Sequence, residues 1–137
     1  MENLRLTNEL PKPEAFINLR VRAGLSTKSI EGATIGLKNS WYSVALYNEE
    51  ELVGFGRIIG DGGTVFQVTD VSVLPEYQGQ GLGKRIMTEL TDYITEHAPK
   101  FSYVSLIADG PADKLYEKYG FKDVSTHGSK GMYLWMK

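Results

Sequence analysis

The segment Val65 to His97, VFQVTDVSVLPEYQGQGLGKRIMTELTDYITEH, constrains the fold more than any other part of the chain. Val65 to Leu74 has the Val, Phe and Thr content of a strand. Pro75 ends it, because proline has no N–H to give a sheet ladder. Gln78-Gly79-Gln80-Gly81-Leu82-Gly83 follows, with a glycine at every second position. Beyond it Leu82, Ile86, Leu90 and Ile94 recur four apart beside Met87 and Tyr93, the pattern of an amphipathic helix. Strand, glycine turn and helix in that order make a site for an anion. The first turn of a helix carries main-chain N–H groups with no partner inside the helix, and the dipole adds positive charge there. Glycines let the main chain come close to a phosphate and adopt angles closed to other residues. A bare connecting turn would explain the glycines alone. It would not explain Lys84 and Arg85, which oppose the dipole but suit a polyanion.

Two well-known phosphate loops do not fit. A P-loop requires G-x-x-x-x-G-K-[ST], and here the glycine spacing differs and Arg85 follows Lys84. A dinucleotide fingerprint requires G-x-G-x-x-G, and Lys84 stands where its last glycine belongs. The segment instead closely resembles the signature of the GNAT superfamily of acyl-CoA-dependent N-acetyltransferases. That signature is a strand ending V-x-P, met by Val73-Leu74-Pro75, then Q/R-x-x-G-x-G/A, met by Gln78 to Gly83. A second stretch, Ala112-Asp113-Lys114-Leu115-Tyr116-Glu117-Lys118-Tyr119-Gly120-Phe121, is similar to the family's closing motif A-x-x-L-Y-x-K-x-G-F.

The resemblance implies an α/β (α+β) fold, with a mixed, mostly antiparallel central sheet and a parallel, splayed strand pair, flanked by about four helices. It implies acetyl-CoA as the acyl donor. Gln78, Gly79, Gln80, Gly81, Leu82, Gly83 and Lys84 would hold the coenzyme A pyrophosphate. Val71, Ser72 and Val73 would pair with its pantetheine arm, and Asp109 and Ala112 would complete the coenzyme site. It also implies that Tyr116 gives a proton to the leaving sulfur.

A chain of 137 residues is one domain by length, so 1–137 reads as a single acetyltransferase domain. The apolar share of 42% and charged share of 23% are ordinary globular values. A net charge of −2 offers no general attraction to nucleic acid or an anionic membrane. The absence of cysteine excludes disulfides and thiolate chemistry. No signal-peptide core or membrane-length apolar run is present, and the reading is a soluble cytoplasmic protein. No metal site is expected.

Elsewhere, Leu4 and Leu6 suit a short edge strand, and Glu14 to Val21 reads as a helix interrupted by Gly24. Ser26 to Glu31 reads as a short helix with Ser26 or Thr27 as N-cap. Trp41 to Tyr47 and Leu52 to Gly60 read as a hairpin. Gly54 and Gly56 clear one face of the second strand for another backbone or a ligand. Arg57 lies among apolar neighbours and needs a partner: Asp70, Asp61 or a substrate carboxylate. Asp61-Gly62-Gly63 is a tight turn. His97 in the last helical turn suits the dipole. Tyr103 to Ala108 reads as a strand parallel to the one before the helix. Phe121 to Val124 and Gly131 to Met136 read as a final β pair, with His127 in the loop between them. Exposed strand edges leave room for a homodimer.

Acyl transfer from a thioester to an amine needs the amine deprotonated, the oxyanion stabilised and the thiolate protonated. A tyrosine hydroxyl, with a pKa near 10, can protonate a thiolate. The bland alternative for Tyr116 is an aromatic packed on the sheet. Main-chain N–H around Val71 to Val73 would polarise the carbonyl. The family's usual Glu or His base is missing: the corresponding positions hold Gln67 and Thr69, which take no proton at neutral pH. Strand alternation puts Asp70 on the other face. Deprotonation therefore runs through ordered water, or the amine arrives neutral. The expected acceptor is a small primary amine of amino-acid, polyamine or arylalkylamine type, with a non-catalytic acyl-CoA-binding module and acetylation of a protein N-terminus or lysine as the rival readings. Arg22, Trp41, Arg57, Gln67 and Thr69 are its candidate neighbours, although a solvated surface charge also explains Arg22.

Overall fold

The computed structural model describes residues 4–109 and 112–136. The chain forms two compact units, Met1–Leu106 and Ile107–Lys137. The first holds a five-stranded sheet whose spatial order equals its chain order: β1 (Leu4–Thr7), β2 (Tyr42–Asn48), β3 (Glu51–Gly60), β4 (Val65–Val73) and β5 (Tyr103–Ser105). β1 to β4 pair antiparallel and β4 pairs with β5 in parallel. Helices α1 (Pro13–Arg22) and α2 (Ile30–Lys38) lie between β1 and β2 in the chain, and α3 (Leu82–His97) links β4 to β5. The mixed, mostly antiparallel sheet and the parallel pair are as expected.

Alternation along β3 decides the layers. Phe55 meets Phe16 of α1 edge-on, with ring centroids 5.5 Å apart. The neighbouring Gly54 and Gly56 face α3. A Cβ on Gly56 would stand 2.7 Å from Ile86 Cγ2 and 3.1 Å from Leu90 Cδ1. The close approach signalled by these glycines is therefore made by α3 side chains, not by a ligand. Ile86, Met87 and Leu90 are fully buried there, each contributing about 1.5–3 kcal/mol. Gly56→Ala should thus overpack this contact and destabilise the fold by about 2 kcal/mol, read as a lower urea midpoint with unchanged slope.

Local chemistry sets the helix ends. α1 closes where Gly24 takes φ +93°, with Leu25 N–H donating to Arg20 C=O and Gly24 N–H to Val21 C=O. These two bonds form a Schellman motif. The next helix starts later than expected. Its cap is Ser29, whose Oγ accepts from Gly32 N–H at 2.9 Å, while Ser26 accepts from the Arg20 side chain instead. Asp61 accepts from the amides of Gly63, Thr64 and Val65, and Gly62 at φ +82° completes that turn.

The second unit contains α4 (Asp113–Glu117) and a 3-10 turn at Val124–His127. The final β pair expected over Phe121 to Val124 and Gly131 to Met136 does not form. The Asp123 carboxylate accepts from Ser125 N–H and pulls the chain into the 3-10 turn, which ends at Gly128 with φ +77°. Gly131 to Met136 carries no regular structure. β5 is also shorter than expected, ending at Ser105. Among the described residues no helix is long and apolar enough to cross a membrane.

Candidate active site

The site begins with an irregularity in β4. Arg57 pairs with Thr69, whereas Phe55 pairs with Ser72. Two steps along β3 therefore oppose three along β4, which is a β-bulge. Asp70 sits at the bulge with φ +62°, a left-handed conformation unusual for a residue other than glycine. The extra residue breaks the alternation. Val71 returns to the α3 side, its Cγ2 being 3.4 Å from where a Gly56 Cβ would lie. Asp70 turns to the α1 side, the face that also carries Arg57, Thr69 and Gln67. The expectation that Asp70 faces away from Gln67 and Thr69 is corrected by this bulge, which period-two reasoning cannot see.

There Asp70 meets two arginines. Its Oδ1 accepts from Arg20 Nη1 and its Oδ2 from Arg57 Nε at 2.6 Å. Asp70 is 8% exposed and Arg20 only 7%. Arg20 also donates to the carbonyl and hydroxyl of Ser26, at 2.9 and 3.1 Å. Arg57 Nη1 donates to Gly36 C=O at 2.8 Å and to Ser40 Oγ at 3.3 Å. Of the two carboxylates open to Arg57, Asp70 is the one it meets, while Asp61 is spent on its own turn. Left-handed backbone costs Asp70 about 1–2 kcal/mol, and losing one partner of a buried ion pair costs about 3–5 kcal/mol. Arg20 was not singled out in the sequence, although an arginine one helical turn from Phe16, beside Leu19 on the buried stripe, is a readable sign of a buried pair.

Beyond the bulge β4 has an open edge. Its pairing with β5 ends at Gln67–Ser105, so Val68 to Val73 have no strand partner on that side among the described residues. Leu74 N–H donates to Val53 C=O on β3. By alternation Ser72 also turns its main chain toward β3, and Val71 and Val73 turn theirs to the open edge. Val73 C=O accepts there from Gln78 Nε2 at 3.0 Å. Ser72 lies between these two, with its side chain turned into the protein. It is buried, and its hydroxyl donates to Asp70 C=O.

The glycine loop follows at once. Gly79 and Gly81 take φ +80° and +84°, and nothing lies within 4 Å of a Cβ on either. Backbone conformation and an open approach, not internal packing, therefore account for glycine here. Gly81 is the N-cap of α3, and no side chain caps the helix. The first helical bond runs from Arg85 N–H to Gly81 C=O, so the amides of Leu82 and Gly83 precede the ladder. Gln80, Lys84 and Arg85 are exposed, while the Leu82 side chain is buried and anchors the turn. An open strand edge leading to uncapped helix amides suits an elongated ligand with a phosphate group.

The candidate acceptor neighbours separate. Gln67, Thr69 and Arg57 share the α1 side of the sheet. Arg22, at the end of α1, is paired with Glu76 and lies 3.6 Å from Glu51. It joins α1 to the turn ahead of the glycine loop, and such exposed pairs contribute about 0–1 kcal/mol. Trp41 does not join them. It packs on Phe66 and Tyr93, with centroids 4.4 and 5.0 Å away, on the α3 side. Tyr93 stacks in turn on Tyr42 and touches His97. This aromatic row centres on Tyr93, in the second half of α3, about 17 Å from the helix N-terminus. His97 and Trp41 are thus remote from the loop.

In the second unit, Tyr116 is half-buried. Burial pushes its phenol above the ordinary value, and the negative charge of Asp109 adds to the shift. A second Schellman motif sets its position: Phe121 N–H donates to Tyr116 C=O, Gly120 N–H to Glu117 C=O, and Gly120 has φ +92°. The Phe121 ring packs edge-on against Tyr116 at 6.4 Å. Asp109 C=O accepts from Ala112 N–H ahead of α4.

The chain is 32% identical over 115 residues to an uncharacterized N-acetyltransferase of Pyropia yezoensis, covering 80% of this chain and 64% of that protein. It therefore spans slightly less than two thirds of that relative's length. It is 29% identical over 94 residues to a ribosomal protein bS18-alanine N-acetyltransferase of Haemophilus influenzae, covering 64% of this chain and 62% of that one. Among solved structures, a probable acetyltransferase of unknown function from meticillin-resistant Staphylococcus aureus has a TM-score of 0.92 at 47% identity, covering 97% of this chain and 99% of that chain. A family model described as an acetyltransferase (GNAT) domain matches residues 22–136, a span that takes in both the glycine loop and the Tyr116 helix. The chain belongs to the GNAT family of N-acetyltransferases.

Proposed function

We propose that the chain moves an acetyl group from acetyl-CoA to the primary amine of a small molecule, by direct attack within a ternary complex. The observation that carries this reading is the continuity of the open β4 edge with left-handed Gly79 and Gly81 and the uncapped start of α3. Val71 and Val73 offer main-chain groups to the pantetheine amides, and the amides from Gly79 to Lys84 hold the pyrophosphate. The family resemblance adds Asp109 and Ala112 to the same coenzyme site. Acetyl-CoA supplies the activated acyl group as substrate.

Transfer breaks the thioester C–S bond and forms an amide C–N bond. The amine gives up a proton, and the departing thiolate takes one from the Tyr116 hydroxyl, which solvent then restores. Val71 N–H supplies polarisation at the carbonyl oxygen. Gln67 and Thr69 line the acceptor side without acting as bases, and both Asp70 oxygens are already engaged by Arg20 and Arg57. The amine therefore loses its proton through water or arrives neutral. One acetyltransferase domain over 1–137, cytoplasmic, with a homodimer as its assembly, completes the proposal. The family match running through both units supports the single domain.

A second reading, acetylation of a protein N-terminus, is favoured by the similarity to the bS18-alanine N-acetyltransferase. A thiol-release assay with acetyl-CoA and glycine, spermidine, tyramine or an alanine-starting peptide decides between them. Turnover with a small amine supports the first reading, and turnover with the peptide alone supports the second. Coenzyme A binding without thiol release on any of them would leave a non-catalytic acyl-CoA-binding module.

A further inference from the structure

The buried carboxylate of Asp70 has no part in the chemistry above, yet it ties two arginines to β4. Through Arg20 it reaches α1 and the Ser26 carbonyl and hydroxyl in the α1–α2 connection. Through Arg57 it reaches Gly36 C=O in α2 and Ser40 Oγ just beyond that helix. The same residue carries the left-handed kink of the bulge, directly before Val71. One carboxylate thus joins the strand that presents the open edge to both helices on the other side of the bulge.

We propose that Asp70, Arg20 and Arg57 are positioning residues for acyl transfer: together they hold α1 and α2, which stand on the same side of the sheet as Gln67 and Thr69 and so wall the proposed acceptor side, at one setting on the kink of β4. The inference rests on the acetyl-transfer reading and extends it to the acceptor side. Three features support a positioning role over simple packing. Asp70 spans two guanidinium groups with separate oxygens, so neither arginine can shift without loosening the other. Both arginines spend further donors on main-chain carbonyls of the connection and of α2, which fixes backbone as well as side chains. The kink sits between Thr69, which faces the acceptor wall, and Val71, whose main chain faces the open edge. Movement there changes the distance between amine and carbonyl, and such misplacement is costly to rate.

Asp70→Asn tests this, because asparagine tolerates left-handed backbone and keeps the volume while removing the charge. Measured with the fastest amine of the panel, turnover should fall at least about tenfold and the amine KM should rise. The dissociation constant of coenzyme A, read by calorimetry, should stay within about twofold. Should Asp70→Asn fail to fold, Arg57→Lys decides, since it keeps the charge but cannot span Asp70, Gly36 and Ser40 together. It should show the same split between amine kinetics and coenzyme affinity. Variants that melt earlier but turn over normally at a permissive temperature would overturn the proposal alone. A wild-type chain that neither binds coenzyme A nor releases thiol with any amine would overturn the acetyl-transfer reading and this proposal with it.

Discussion

Replacing Tyr116 by phenylalanine is expected to lower turnover about a hundredfold while leaving coenzyme A affinity unchanged. The ring volume and its edge contact with Phe121 are retained, so α4 and its Schellman end should survive. What disappears is the hydroxyl. Because burial and the Asp109 charge push that phenol above its ordinary value, it stays protonated through neutral and mildly alkaline pH. The fall in rate from its ionisation should therefore lie above about pH 10, and Tyr116→Phe should lack that fall. Equal turnover in the two proteins would return Tyr116 to a packing role.

The second large effect is expected at Gly81. With φ +84° and no atom within 4 Å of a Cβ, the position is open sterically but closed conformationally to other residues. Valine there should force the N-cap of α3 out of its left-handed conformation, at a cost of at least about 1–2 kcal/mol. It should also place a branched side chain where the ligand's phosphates approach. Coenzyme A binding by calorimetry should become undetectable. The fold should persist, because Ile86, Met87 and Leu90 still anchor the helix, and the circular dichroism spectrum should match that of the parent. Retained affinity in Gly81→Val would remove the loop from the binding site.

Much of this was legible beforehand because the relevant signals are local. The run from Val65 through Pro75 to Gly83 announces strand, stop and helix start by propensity, missing donor and missing Cβ, and each acts within a few residues. Gly120-Phe121 announces a helix end in the same way, and the bonds to Tyr116 and Glu117 form there. The misreadings came where two local options were close in energy. Ser26, Thr27 and Ser29 are all competent caps, and Ser29 prevails while Ser26 accepts from Arg20. Asp123 could continue a strand or cap a turn, and its bond to Ser125 N–H selects the turn.

The sequence by itself determined where glycine must relax the backbone, which helix begins at a glycine turn and which tyrosine stands before a Gly-Phe stop. Only tertiary structure decided the partner of Arg57, the face that Asp70 takes and the isolation of Trp41 from the loop. A β-bulge adds one residue to one strand and reverses every side-chain direction beyond it. Its presence depends on what the neighbouring strand and helices offer: here Gly56 across the ladder and two arginines brought in from α1 and β3.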